Sequence, residues 1–214
     1  MRNRVHNSIP LLNGKRFEGF LKYILRIFIA FTAGALVFGF FAGIFLSIKY
    51  ASLEGFGTGL SAGFTWALLV FAVLLPLDVF EKIKCYRKYG FIDFRVRQER
   101  TLWIHAEYDS IFDTLQNEFR TWKKIQLKKK DIKLGIIEIE TGRSWRSFGE
   151  KVGVTLLKSQ DGKVHVTVSS KPKIFTTVID FSKNFTNVQR IILGMKKGRR
   201  LDTPGALVPK LVDR

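Results

Sequence analysis

The sequence contains a single cysteine, Cys85, in 214 residues, so no internal disulfide framework can hold it. That suits a reducing, cytoplasmic setting. Acidic residues are scarce: 18 Asp plus Glu stand against 36 Lys plus Arg, a net charge of +18. A surplus of that size favours anionic partners, whether phospholipid head groups, nucleic acid or an acidic protein face. The familiar catalytic signatures are missing as well. There is no P-loop, dinucleotide fingerprint, HExxH helix or CxxC pair. The expectation is a protein that is not an enzyme and uses no cofactor and no metal.

The most informative absence is local. Residues 27–48 and 55–77 hold no charge at all, and each run is about 22 residues of mostly apolar side chains. As helices, both are long enough to cross a bilayer core of roughly 30 Å. The six residues between them leave room only for an antiparallel hairpin. Residues 1–26 are too long and too basic to open a cleaved signal peptide, and the run after them exceeds a signal core, so it reads as a retained anchor. Phe17, Phe20, Leu21 and Ile24 recur at helical spacing, with Lys15, Arg16, Lys22 and Arg26 on the polar side. This is either a short interfacial helix or an early start to the first span.

Charge sets the expected orientation. Arg2, Arg4, Lys15, Arg16, Lys22 and Arg26 precede the first run, and Lys82, Lys84, Arg87 and Lys88 follow the second. Lys49 is alone between them. The positive-inside rule then places both termini in the cytoplasm of a two-span inner-membrane protein. Within the runs, small residues recur four apart: Ala35, Gly39 and Gly43, then Gly59 and Gly63. Such ladders let helix backbones approach closely in lipid. They serve either the hairpin's own packing or docking on other membrane subunits or on further copies of the chain.

The remainder divides into residues 83–200, a basic cytoplasmic α+β domain, and 201–214, a tail. The hairpin with its inner flank spans 27–82. From Ile83 onward 28 Lys plus Arg face 14 Asp plus Glu, leaving +14. Past Asp78 the second helix continues to a stop at Gly90, whose lack of Cβ suits a left-handed cap. Alternation predicts a first strand over 91–97, through Ile92, Phe94 and Val96. Leu102, Ile104 and Ala106 prolong it or form a second strand. Asp109 or Ser110 would cap a helix whose apolar face is Ile111, Phe112, Leu115, Phe119 and Trp122. A basic loop over 123–130 follows, then strands at 132–141, 151–158 and 164–170, the last two joined by a turn at 160–162. Residues 174–179 are an optional further strand. A helix over 182–197 buries Phe185, Val188, Ile191, Ile192 and Met195. The economical arrangement is an antiparallel sheet with both helices on one face.

The stretch 137–150 with its Arg143-Ser-Trp-Arg-Ser-Phe-Gly149 segment, the valine strand ending at Ser169 and Ser170, and Asp180-Phe-Ser-Lys-Asn184 together resemble an uncharacterised bacterial domain, domain of unknown function 1499. The resemblance covers about 131–195 and implies a compact α+β domain. The family brings no established activity.

Three constellations bear on chemistry. His105, Glu107 and Asp109 alternate as a strand-borne metal set would, yet they also fit a solvated strand face leading into a helix cap. Glu138 and Glu140 share a strand face and are expected to balance nearby lysines. Arg143, Trp145, Arg146 and Phe148 interleave basic and aromatic side chains, a composition suited to anionic head groups, to a protein partner or to stacking on nucleic acid. Lys128, Lys129, Lys130, Lys196, Lys197, Arg199 and Arg200 extend the basic surface. The expected role is that of an accessory or assembly subunit of a membrane complex. A phospholipid-handling module and a membrane-tethered nucleic-acid binder are the alternatives.

Overall fold

A computed structural model describes residues 14–159 and 162–197. Arg2, Arg4, most of the 160–162 turn, Arg199, Arg200 and the 201–214 tail lie outside the described residues, as do the side chains of Lys15, Arg16, Phe17 and Lys197. The described chain forms two units, the first ending at Pro76 but also holding Asp93–Arg95, the second holding Leu77–Ile92 and the chain from Val96 onward.

The first unit is a helical hairpin. Helix α1 spans Gly14–Tyr50 and α2 spans Glu54–Tyr89, the latter entering the second unit at Leu77. Both are long and apolar enough to span a membrane. At 1.5 Å per residue each measures about 54 Å, well beyond a 30 Å core. The basic segment from Gly14 onward is thus the opening of one continuous helix. The reversal is tight: Ala51 takes a left-handed φ of 49°, and Ser52 Oγ accepts the Glu54 N–H at 3.2 Å to start α2.

The small-residue ladders face each other. A Cβ placed on Gly63 would come within 2.5 Å of Gly39 N and Cα, and one on Gly55 within 2.6 Å of Ser47 N. One on Gly59 would strike Gly43 and lie 2.7 Å from Ala42 C. Ala35 is buried, with its carbonyl against Gly63. The layers run antiparallel, Ala35 to Gly63 and Gly43 to Gly59, so the ladders are spent within the hairpin. Phe38 stacks on Trp66 at 4.9 Å beside this seam.

The second unit contains β1 Gln98–His105, α3 Tyr108–Arg120, β2 Ile125–Asp131, β3 Ile136–Thr141, β4 Glu150–Lys158, β5 Lys163–Pro172 and α4 Lys183–Lys197. The strands make one antiparallel sheet ordered β1-β5-β4-β3-β2. Alternation dictates its two faces. Leu102, Ile104, Ile137, Ile139, Val152, Val154, Leu156, Val164, Val166 and Val168 point into one core with Ile111, Phe112 and Leu115 of α3 and Val188, Ile191 and Met195 of α4. Thr101, Trp103, His165, Thr167 and Leu157 line the other, more open face.

Several expectations need correction. Residues 91–97 are not a strand. Asp93 takes the Arg95 N–H at 2.9 Å and its guanidinium at 2.7 Å, a local turn that competes with extension, while Phe94 packs on Phe20 at 5.2 Å and on the buried Tyr23. The basic stretch 123–130 is mostly a strand, β2. It is an edge strand, so its exposed lysines satisfy no apolar alternation, and lysine is what protects such an edge from stray pairing. The strand expected at 132–141 begins only at Ile136. Leu134 N–H caps back to Asp131 at 2.9 Å, and Gly135 turns at a φ of 66°. Residues 174–179 form no strand. Helix α3 has Glu107 at its N-cap with no side-chain cap bond, so neither Asp109 nor Ser110 serves there.

Candidate functional site

The end of α2 changes character at Asp78. Residues 78, 81, 82 and 85 share one helix face by their spacing of three and four, and that face is buried although it carries Asp78, Glu81 and Lys82. Buried charges must be paired to be tolerated. Lys82 Nζ reaches Asp78 Oδ2 at 2.8 Å, and Glu81 meets Lys84 at 2.9 Å and Arg146 Nη2 at 3.3 Å. Arg146 also donates to the carbonyl of Phe181, while its Nε is buried without a hydrogen-bond partner among the described residues. Cys85 is buried, its Sγ 3.7 Å from Thr186 Oγ1.

The carbonyl that Arg146 holds is presented by a strained turn. Phe181 and Ser182 both adopt left-handed backbones, at φ of 46° and 56°. Asp180 supports them. Its carboxylate accepts the Ser182 N–H at 3.2 Å, the Asn184 N–H at 3.1 Å and Asn184 Nδ2 at 2.9 Å, which also caps α4. Asn184 Oδ1 in turn accepts Ser170 Oγ at 2.7 Å, and Asn187 Nδ2 donates to that same hydroxyl at 3.2 Å. On the opposite side, buried Glu150 accepts from Thr141 Oγ1 and Ser147 Oγ. The loop with Arg146 and Glu150, the end of β5 at Ser170 and the Asp180–Asn184 turn therefore meet at one polar joint on α2.

Burial pushes the Asp180 carboxyl above its ordinary range, opposed by the two Asn184 bonds and the Lys82 charge and reinforced by Asp78. Burial likewise lowers the half-buried Lys183 ammonium, opposed by Glu150 and reinforced by Arg146 and Arg190. A carboxyl raised on folding contributes fully below its unfolded pKa and loses that contribution as pH climbs through the folded value. Asp180→Asn mimics the neutral form. Between about pH 4 and about pH 8 the stability gap should therefore move in the variant's favour. Thermal unfolding at both pH values checks this, and a gap moving towards the wild type would contradict it.

The aromatic–basic loop is arranged differently from its composition. Arg146 turns inward to Glu81 instead of reaching outward with Arg143. Trp145 and Phe148 are exposed, Trp145 resting 5.6 Å from Phe181. Lys128 and Lys173 both pair with Glu140, at 3.7 and 2.8 Å, and the Lys173 bond first of all holds that carboxyl below its ordinary range. Lys129 sits across from Glu138, and Lys130 and Lys196 are exposed. His105, Glu107 and Asp109 all lie exposed, and no group of three metal-binding side chains occurs among the described residues. Sequence reasoning missed the joint itself. Its signal was the i, i+3, i+4 spacing of Asp78, Glu81 and Lys82 directly after an uncharged run.

No protein-family model matches this chain, and no curated protein matches it. A crystal structure of TTHA0849 from Thermus thermophilus is similar over 48% of this chain and 94% of its own, at 12% identity and a TM-score of 0.29.

Proposed function

We propose that this chain is a non-enzymatic accessory or assembly subunit of the bacterial inner membrane. Residues 27–48 and 55–77 cross the bilayer, both termini stay in the cytoplasm, and the basic α+β domain meets an anionic leaflet or a partner's cytoplasmic face. The observation that carries the reading is the joint. Asp78, Glu81 and Lys82 are buried into the domain through Arg146 and the Asp180 turn, so α2 enters the domain as a structural member and not through a linker. A helix that is built into the domain and continues from an apolar run tethers that domain's surface at the membrane, which is what an assembly subunit needs.

The hairpin ladders are consumed internally, so they do not supply the partner contact. Docking falls instead to the exposed Phe-rich faces, with Phe41 and Phe45 on α1 and Phe64 on α2, and to the domain. Blue-native electrophoresis of gently solubilised native membranes tests the proposal. A discrete species larger than the monomer and containing a second membrane protein or further copies supports it. A lone monomer overturns it. Retained phospholipid in native mass spectra would favour the lipid-handling alternative, and steeply salt-dependent DNA or RNA binding the nucleic-acid one.

A further inference from the structure

Two loops flank the joint, 142–149 between β3 and β4 and 173–182 between β5 and α4. They touch through the Lys173 N–H to Gly149 carbonyl bond at 3.0 Å and through Trp145 on Phe181. Together they expose Trp145 by 68%, Phe148 by 65% and Phe175 by 85%, with Ile174 beside them. Exposing that much aromatic surface to water is unfavourable and marks an interaction site. The rim is basic: Arg143 and Lys171 are exposed, and neither 142–149 nor 171–179 contains Asp or Glu.

The direction these loops face follows from contacts along α2. Asp180 feels the charges of Asp78 and Lys82, Thr186 meets Cys85, and Phe185 packs on Tyr89 at 5.6 Å. Helix α4 therefore starts near Asp78 and runs onward beside α2. The loop before α4 and the loop carrying Arg146 lie at the Asp78 end, about one helical turn past Leu77. Strand β4 starts at that end with Glu150 and carries Leu157 to the far one.

We infer that Trp145, Phe148 and Phe175 insert into the head-group region of the anionic bilayer that α2 leaves, with Arg143 and Lys171 on lipid phosphates. The inference rests on the two-span reading above. Tryptophan favours that depth, phenylalanine suits the apolar side of an interfacial segment, and an anionic surface attracts the nearby cations. The occupant is the bilayer itself, because the same helix that carries the joint emerges from it and the patch complements it in charge.

Spin labels on the full chain in phosphatidylglycerol–phosphatidylethanolamine liposomes test this. In a Cys85→Ala background, single cysteines replace Phe148, Phe175, Leu157 at the far end of β4, and Leu69 within the second apolar run. Labels at 148 and 175 should collide with an aqueous nickel chelate about fivefold less often than the label at 157, as expected of the head-group region. Equal collision rates at 148, 175 and 157, with 69 buried in lipid, would overturn the inference and leave the spans intact. A label at 69 in water would overturn both. Since only lipid is present, insertion cannot be attributed to a protein partner.

Discussion

Gly59→Ala should destabilise the hairpin by about 3 kcal/mol, the upper part of the range for overpacking a filled interface. The new methyl would fall inside contact distance of Gly43 N and Cα and 2.7 Å from Ala42 C. Every one of those atoms is backbone, so no rotamer can yield and the helices must separate. Separation would also loosen Gly63 from Gly39 and Gly55 from Ser47, because all sit on one seam. Gly57→Ala is the matched control. Nothing lies within 4 Å of its Cβ position, and alanine is the better helix former by about 1 kcal/mol. Denaturation in mixed micelles followed by circular dichroism distinguishes them. If the two variants unfold together, the ladders do not face each other.

Arg146→Ala should cost about 3 kcal/mol in the second unit, within the range for breaking a buried ion pair. Its guanidinium serves Glu81 and the Phe181 carbonyl together, and both partners are shielded from water. Removing it strands a carboxylate on the buried face of α2 and leaves the left-handed turn at Phe181 and Ser182 without its tie. Lys84 still reaches Glu81, but from the exposed side, which keeps the loss from being larger. Arg146→Lys should rescue little, because a point charge cannot bridge two acceptors as a planar fork does. In a double-mutant cycle with Glu81→Gln, the pair should show coupling of about 1 to 2 kcal/mol. An Arg146→Ala protein within about 0.5 kcal/mol of wild type would contradict the joint.

What the sequence made legible follows from how strongly each pattern is tied to burial. The long helices of the uncharged runs, the stop at Gly90 and the valine alternation of β5 are strong local patterns, and all three appear in the structure. Edge and linker segments are harder to read. In β2 the pairing with β3 comes from the neighbour and not from its own lysines, so its alternation is hidden. Residues 91–97 mislead in the opposite sense: their apolar residues alternate, but Asp93 captures Arg95 locally and Phe94 finds Phe20. The polar joint is hidden for a third reason. Asp78, Glu81, Arg146 and Asp180 are ordinary surface residue types, and only the fold brings distant segments together around them. The loop at 142–149 shows how composition can err about direction. Its interleaved arginines and aromatics suggest that all four reach outward together, but Arg146 is drawn in by Glu81 and leaves Trp145 and Phe148 outside.

The central claim is that α2 does not end where its apolar run ends but continues as a buried member of the domain. Hydrogen exchange of the amides from Asp78 to Tyr89, measured on the whole protein in liposomes, tests it most directly. The joint predicts protection comparable to that of the central strands β4 and β5, lost together with them when the domain unfolds. Exchange in that segment at the rate of a solvated helix end, while β4 and β5 stay protected, would contradict it.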